Sequence, residues 1–369
     1  MALALSGTVN DNQAGILRPR KTATPLIING DMQIAQRGTS TSGITNGNYR
    51  TLDRFYTNNN NVGSVTNSQS TDVPTGQGFA TSFKIAIDTS DTPTGTEWLQ
   101  CQYRTEAQDL KPLKFNTSSA EGFTISFWVK SAKTGTYTLA ILNDNASRSI
   151  SQTYTINSAN TWEKKVLSFA GDTAGAIPNN NTIGLILYWI LAAGGDRTSG
   201  TFQTSWGTYA TGTFVSSSQV NLGDSTSNDW YITGVQLEVG TFDSNSIPDF
   251  QFEDRTTSFN RCSRYYYRQN AEAPYSVFAN GFVANSTTAR VMQRFPQQRA
   301  LATISSSGTF QVIEGGSSRT VSSIASDGNS RSFEGTRLDI TITSGSAGNG
   351  CMLRSANDTS AYIEADAEL

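Results

Sequence analysis

The stretch ITGVQLEVGTF (232–242) alternates apolar and polar residues with a period of two, and NRCSRYYYRQ (260–269) follows it after a polar gap. Within NDWYITGVQLEVG (228–240) the alternation places Thr233, Val235, Leu237 and Val239 on the inward face of a strand. The second stretch changes period. Phe259, Cys262 and Tyr266 fall at i, i+3 and i+7, one stripe of a short helix, and Asp254 stands where it can cap the helix N-terminus. The passage therefore predicts a strand that completes one β-unit and a helix that lies against it and buries Cys262. Tyr265, Tyr266 and Tyr267 then begin an extended segment leading into a second unit.

Upstream, short strand patterns recur between Gly, Asn, Asp and Ser: FATSFKIAI (79–87), EWLQCQYR (97–104), GFTISFWVK (122–130), GTYTLAILN (135–143), SISQTYTI (149–156) and WEKKVLSF (162–169). In 122–130, Phe123, Ile125, Phe127 and Val129 share one face, with Thr124, Ser126, Trp128 and Lys130 on the other. IGLILYWILAA (183–193) is apolar on both faces, which predicts a strand in the middle of a sheet that is covered on both sides. Roughly ten strands with no helical pattern between them indicate an antiparallel two-sheet sandwich, most simply a jelly roll, over residues 25–254. Residues 255–270 form the helix and connector. Residues 271–369 repeat the β chemistry in thinner form and predict a second, smaller β-sandwich. The fold class is all-β.

Composition agrees. The 32 Gly against 9 Pro, with only 15% charged residues, suit turn-linked strands better than helix surfaces. A net charge of −3 offers no general attraction to nucleic acid or to anionic membranes. Residues 1–7, MALALSG, lack a basic n-region, and no apolar run approaches the ~18 residues of a membrane span, so synthesis and retention in a cytosol are expected. Cys101, Cys262 and Cys351 lie far apart in no metal-ligand spacing and read as buried free thiols.

The chain contains no histidine, which excludes Ser-His-Asp and Cys-His nucleophile systems and His-ligated zinc. Carboxylate-pair chemistry remains. Asp88, Asp91, Glu97, Glu106, Asp224, Asp229, Glu238 and Glu253 are available, yet no pattern pairs any two of them, and most sit in turns that Asp commonly shapes. The expectation is a protein without catalytic residues and without a cofactor. LGDSTSND (222–229) offers Asp224 and Asp229, with Asp31 as a third oxygen donor, for a calcium ion, but no D-x-D-x-D-G loop occurs, and no metal site is predicted. Residues 1–24 show neither period and carry a basic knot. They read as a frayed terminus or as an arm that docks on a partner through Leu3, Leu5, Ile16, Leu17, Arg18 and Arg20.

The ordered set INGDMQIAQRGT, DRF, ISFWVKS, GTYTLAIL, WEKKVLSF, ITGVQLEVGTF, FEDRTTSFNRCSRYYY, RFPQQRALATI and IEADAEL resembles virion proteins of tailed bacteriophages, of the tail-fibre or tail-tip type and sometimes of the head surface. Segment 232–267 is the most specific part. The resemblance implies a carbohydrate-binding-module-like jelly roll, a short helix and a small β-domain, in a structural protein that is synthesised in the host cytoplasm and located in the virion. It also implies other virion proteins as partners, a homotrimer, and attachment to a host surface glycan, with a capsid decoration or head fibre as the alternative role. Where the family commonly has His before the helix, this sequence has Asp254. If the jelly roll binds sugar, it needs flat aromatic faces. Trp128 is the leading candidate because it stands on the polar face of a regular strand, followed by Tyr188, Trp98 and Trp206, with Trp189 and Trp230 also considered. A glycan-degrading enzyme with a carboxylate pair is the more distant alternative.

Overall fold

The structure, a computed structural model, describes residues 21–369. Leu3, Leu5, Ile16, Leu17, Arg18 and Arg20, read as a docking arm or a frayed terminus, lie outside the described residues. The larger unit is an antiparallel jelly-roll sandwich. Its six-stranded sheet runs in the order Ser40–Ile44, Ser64–Ser70, Ser82–Thr89, Asp229–Val239, Phe123–Ser131 and Glu163–Phe169. Its seven-stranded sheet runs Gly207–Thr208, Arg148–Ile156, Gly135–Asn143, Ile183–Ala193, Trp98–Glu106, Phe55–Asn60 and Asn48–Tyr49. Between the sheets, Phe123, Ile125, Phe127 and Val129 pack against Leu185, Leu187, Trp189 and Leu191. Ile183–Ala193 is covered on both faces, as its composition predicts, because Ile186, Tyr188 and Ile190 pack on the far side under Phe214 and Val215.

Several strands carry no apolar alternation in sequence. Phe55–Asn60 reads FYTNNN and Ser64–Ser70 reads SVTNSQS, and their buried positions include Thr57, Asn59 and Asn67. These side chains bond to one another and to the backbone. Asn67 Nδ2 donates to Thr57 Oγ1 at 2.7 Å, and Asn59 donates to Ile44 O while its Oδ1 accepts from Val62 N at 2.9 Å. Buried amides are tolerated when they are hydrogen-bonded in this way.

Strand Asp229–Val239 is bulged. Its register against Phe123–Ser131 shifts between Thr233 and Gln236, and Gly234 has φ +63°. The bulge moves the alternation by one residue, so Trp230 and Ile232 before it and Val235, Leu237 and Val239 after it all face the core. Thr233, expected inward, instead points to the opposite face and donates to Thr81 O at 2.9 Å. The Asn29–Gly30 turn packs on the bulge: Val235 N donates to Gly30 O at 2.9 Å, and a Cβ on Gly30 would fall 2.2 Å from Val235 O.

Helix Arg255–Ser263 is capped by Asp254, whose carboxylate accepts from Thr257 N at 3.0 Å. Its inner side buries Cys262 against Ile28, Ile34 and Tyr265, with Phe259 alongside. Tyr266 does not complete that stripe as expected. The helix ends at Ser263, and Tyr266–Asn270 is a strand paired with Tyr362–Asp366, which pairs in turn with Thr303–Ser307. The three cysteines are free and buried.

The rest of the smaller unit is a closed six-stranded barrel around Val283, Val291, Val312, Leu338, Ile340 and Leu353. The expected all-β class holds. This part of the smaller unit closes on itself instead of forming two open layers, because the 16-residue strand Ser317–Ser332 pairs with both Phe310–Glu314 and Gly335–Ile342 and so helps leave the barrel no free edge.

The two units meet at a charged seam built on the tyrosine run. Glu368 pairs with buried Arg54 and with Arg37, and these guanidinium groups lie 3.5 Å over the Tyr265 ring and 3.4 Å over the Tyr266 ring, respectively. Glu106 accepts from Arg264 at 2.7 and 3.0 Å and from Tyr265 OH at 2.8 Å. Burial pushes the Glu106 carboxyl up, but these donors outweigh it and hold the group below its usual value. At Asp53 burial wins: although Arg37 and Gln36 favour the charged form, its carboxyl is raised to about 6.

Candidate functional site

The outer face of the six-stranded sheet carries a cleft of about 190 Å³. Its floor is Ser126 and Trp128 from one strand and Gly234 and Gln236 from the next. The bulge makes this possible. A side chain at residue 234 would meet the Phe79 ring at 2.6 Å, so only glycine lets that ring settle against the sheet. Phe79, Phe250 and Phe252 then pack as a trio with centroids 4.9 to 5.1 Å apart, and Phe252 stays 49% exposed. Gln236 holds the covering segment down by donating to Pro248 O and to Ser126 Oγ, both at 2.9 Å. Lys164, Asp249 and Gln77 complete the rim.

Half-buried Trp128 and the phenylalanine trio supply apolar surface, Ser126 and Gln236 add a hydroxyl and an amide at the floor, and amide, ammonium and carboxylate groups stand at the rim. That combination suits a ligand with both C–H faces and hydroxyls. A larger cleft, about 490 Å³, lies between helix Arg255–Ser263 and strand Tyr266–Asn270. Two of its cations are engaged by the backbone, with Arg255 donating to Gln33 O and Arg268 to Arg37 O.

Of the four aromatic candidates, the structure brings only Trp128 to the smaller cleft. Tyr188 is buried on the outer side of the other sheet, 5.2 Å from Phe214, and Trp98 lies beside it with the Arg197 guanidinium 3.2 Å over its ring. Trp206 packs edge-on to Phe115 at 5.6 Å and donates to Ala170 O at 2.7 Å. Trp189 and Trp230 are core residues. Sequence reading missed Phe79, Phe250, Phe252 and Gln236. The signal was present in PDFQFED (248–254), where Phe250 and Phe252 alternate with polar neighbours outside any strand.

Five of the carboxylates considered for catalysis or calcium go to separate partners. Glu97 accepts from Thr94 N, Glu106 from Arg264, and Asp224 from Lys133 and Asn228. Asp229 binds Tyr231 OH and Lys84, and Asp31 accepts from Gln33. Among the described residues no group of three or more His, Cys, Asp or Glu is placed to hold a metal ion.

Neither family models nor curated proteins match the sequence. Solved structures that resemble part of it include carbohydrate-binding modules and a phage tailspike domain. The enzymatically active domain of Bacteriophage CBA120 tailspike protein 4 is 16% identical over 58% of this chain and 21% of its own, with TM-score 0.31. A family 61 carbohydrate-binding module in complex with β-1,4-galactotriose is 9% identical over 59% of this chain and 99% of its own, with TM-score 0.29. The xylan-binding domain from Paenibacillus barcinonensis is 10% identical over 60% and 97%, with TM-score 0.28. At these scores the likeness carries no argument about the ligand of this chain, which spans about a fifth of the tailspike domain.

Proposed function

We propose that this protein is a non-catalytic attachment component of a tailed-phage particle that holds a host glycan in the cleft over Trp128. The observation that carries the glycan reading is the cleft itself, a half-buried tryptophan and three packed phenylalanines facing amide, ammonium and carboxylate groups on an open sheet face. Such a site needs no proton transfer, and Glu97, Glu106, Asp224 and Asp229 are each committed to a different partner. The virion role rests on the ordered motifs of the sequence, the run from Ile232 to Tyr267 above all. In this reading the chain is a trimeric tail fibre made in the host cytoplasm.

A glycan array probed with the full chain and its Trp128→Ala variant tests the cleft. Wild-type binding that the variant loses supports the site, and equal binding by both removes Trp128 from it. Density for the chain at the tail of an imaged particle supports the fibre role, whereas density on the capsid surface moves it to decoration.

A further inference from the structure

The outer face of the six-stranded sheet extends past the cleft. On strand Phe123–Ser131, Lys130 follows Trp128 by two residues on the same face, an offset of about 7 Å along a strand. Lys164 lies opposite Trp128, and Trp162, just before Glu163–Phe169, falls beside Lys130. Glu163–Phe169 is an edge strand, so this side of the face opens to solvent.

The second position is built around Asp72. Trp162 Nε1 donates to Asp72 Oδ1 at 2.9 Å, and Lys130 pairs with Asp72 Oδ2. Below them Tyr231 is buried, with the Lys130 ammonium 4.2 Å and the Lys84 ammonium 5.1 Å from its ring centroid. Tyr231 OH donates to Asp229 at 2.9 Å, and Lys84 pairs with the same carboxylate at 3.3 Å. The indole of Trp162, half-buried, is thus clamped by its N–H. Around the rings Lys84, Lys130 and Lys164 stand with Asp72, Asp229 and Asp249, and Asp88 and Glu238 lie on the same sheet face, so the face has no surplus of positive charge to draw an acidic ligand.

We propose that the Trp128 cleft is one end of an elongated platform. Its ligand is an uncharged oligosaccharide lying along strand Phe123–Ser131, with a further sugar residue seated on Trp162 and hydrogen-bonded by the Lys130–Asp72 pair. A fixed ammonium–carboxylate pair presents a donor and an acceptor together, which suits neighbouring hydroxyls. An acidic sugar would have to compete with Asp72 for Lys130, and would bring a second anion beside a carboxylate then held by Trp162 Nε1 alone. The inference rests on the glycan reading of the cleft and adds the ligand's length and charge class.

Isothermal titration of the full chain with glucose-, galactose- and mannose-based disaccharides and hexasaccharides, and with di- and hexagalacturonate, tests it. The wild type is expected to bind one neutral hexasaccharide about tenfold more tightly than its disaccharide. Trp162→Ala should lose that gain and keep disaccharide affinity, and Trp162→Phe, which retains a ring, should keep part of it. An unchanged gain in Trp162→Ala, no gain in the wild type, or preference for hexagalacturonate overturns the platform while leaving the cleft. Failure of the wild type to bind any of these sugars overturns the cleft reading and the platform together.

Discussion

On the outer face of the seven-stranded sheet, Tyr188 and Trp98 lie beneath the connection 194–221, which brings Phe214, Val215 and Arg197 down on them. On the outer face of the six-stranded sheet, Trp128 stands at an equivalent strand position and stays half-buried in an open cleft. Both faces present aromatics through the same strand alternation. One has been given a cover of its own chain, and the other is bordered by shorter segments that leave a hollow. Alternation decides which way a ring points, while the length and path of the connections decide whether it meets protein or solvent.

Removing the cover should give the largest effect. Phe214 is buried against Tyr188 and Tyr209, with centroids 5.2 Å away in both cases, and Phe214→Ala should cost about 3–5 kcal/mol of stability by denaturant titration. Glycan binding at Trp128 should be unchanged. A loss below about 1 kcal/mol would break the comparison, since the cover would then not be what stabilises that face.

A second contrast separates binding from folding through pH. Asp53 has a folded-state pKa of about 6, above its ordinary 3.8, so between these values the folded chain holds a proton that the unfolded chain has released. Its contribution therefore favours folding at low pH and is lost as pH rises through about 6, by at most about 3 kcal/mol. Asp53→Asn should flatten that part of the stability curve, read from urea midpoints at several pH values. Burial pushes the Asp72 carboxyl up, but Lys130 and Trp162 outweigh it and hold the group below its usual value. Sugar binding should therefore stay level over the same window, and parallel pH profiles for binding and folding would blur the distinction between the open face and the interior.

The smallest change lies away from both faces. Asp254→Ala removes the cap of helix Arg255–Ser263 and should cost about 1 kcal/mol, seen as a shifted unfolding midpoint with sugar binding intact. A larger loss would tie the helix to the seam between the units more tightly than its single capping side chain implies.

Regular apolar alternation made 122–130 and 135–143 legible as strands, an unbroken apolar run did the same for 183–193, and the Asp254 cap and the buried Cys262 followed from helical spacing. The polar strands Phe55–Asn60 and Ser64–Ser70 were not legible, because their inward positions hold Thr and Asn that are stabilised by partners distant in sequence. At the site, Trp128 could be singled out as a large ring on a polar face. Phe79 could not, because it reaches the cleft from a loop, and the alternation of Phe250 and Phe252 lies outside any strand, so it did not say which face they meet.

Local period, composition and the absence of histidine determined, from sequence alone, an all-β chain with a sandwich, a capped helix and a second β-unit, and they put imidazole chemistry out of reach. Tertiary structure alone decided the phase of strand Asp229–Val239 beyond Gly234, the closure of the smaller unit into a barrel, and which aromatic face stayed open. A period of two says only that neighbouring side chains point apart. Which side becomes interior depends on bulges, pairing partners and covering loops, and those are set by contacts between residues far apart in the chain.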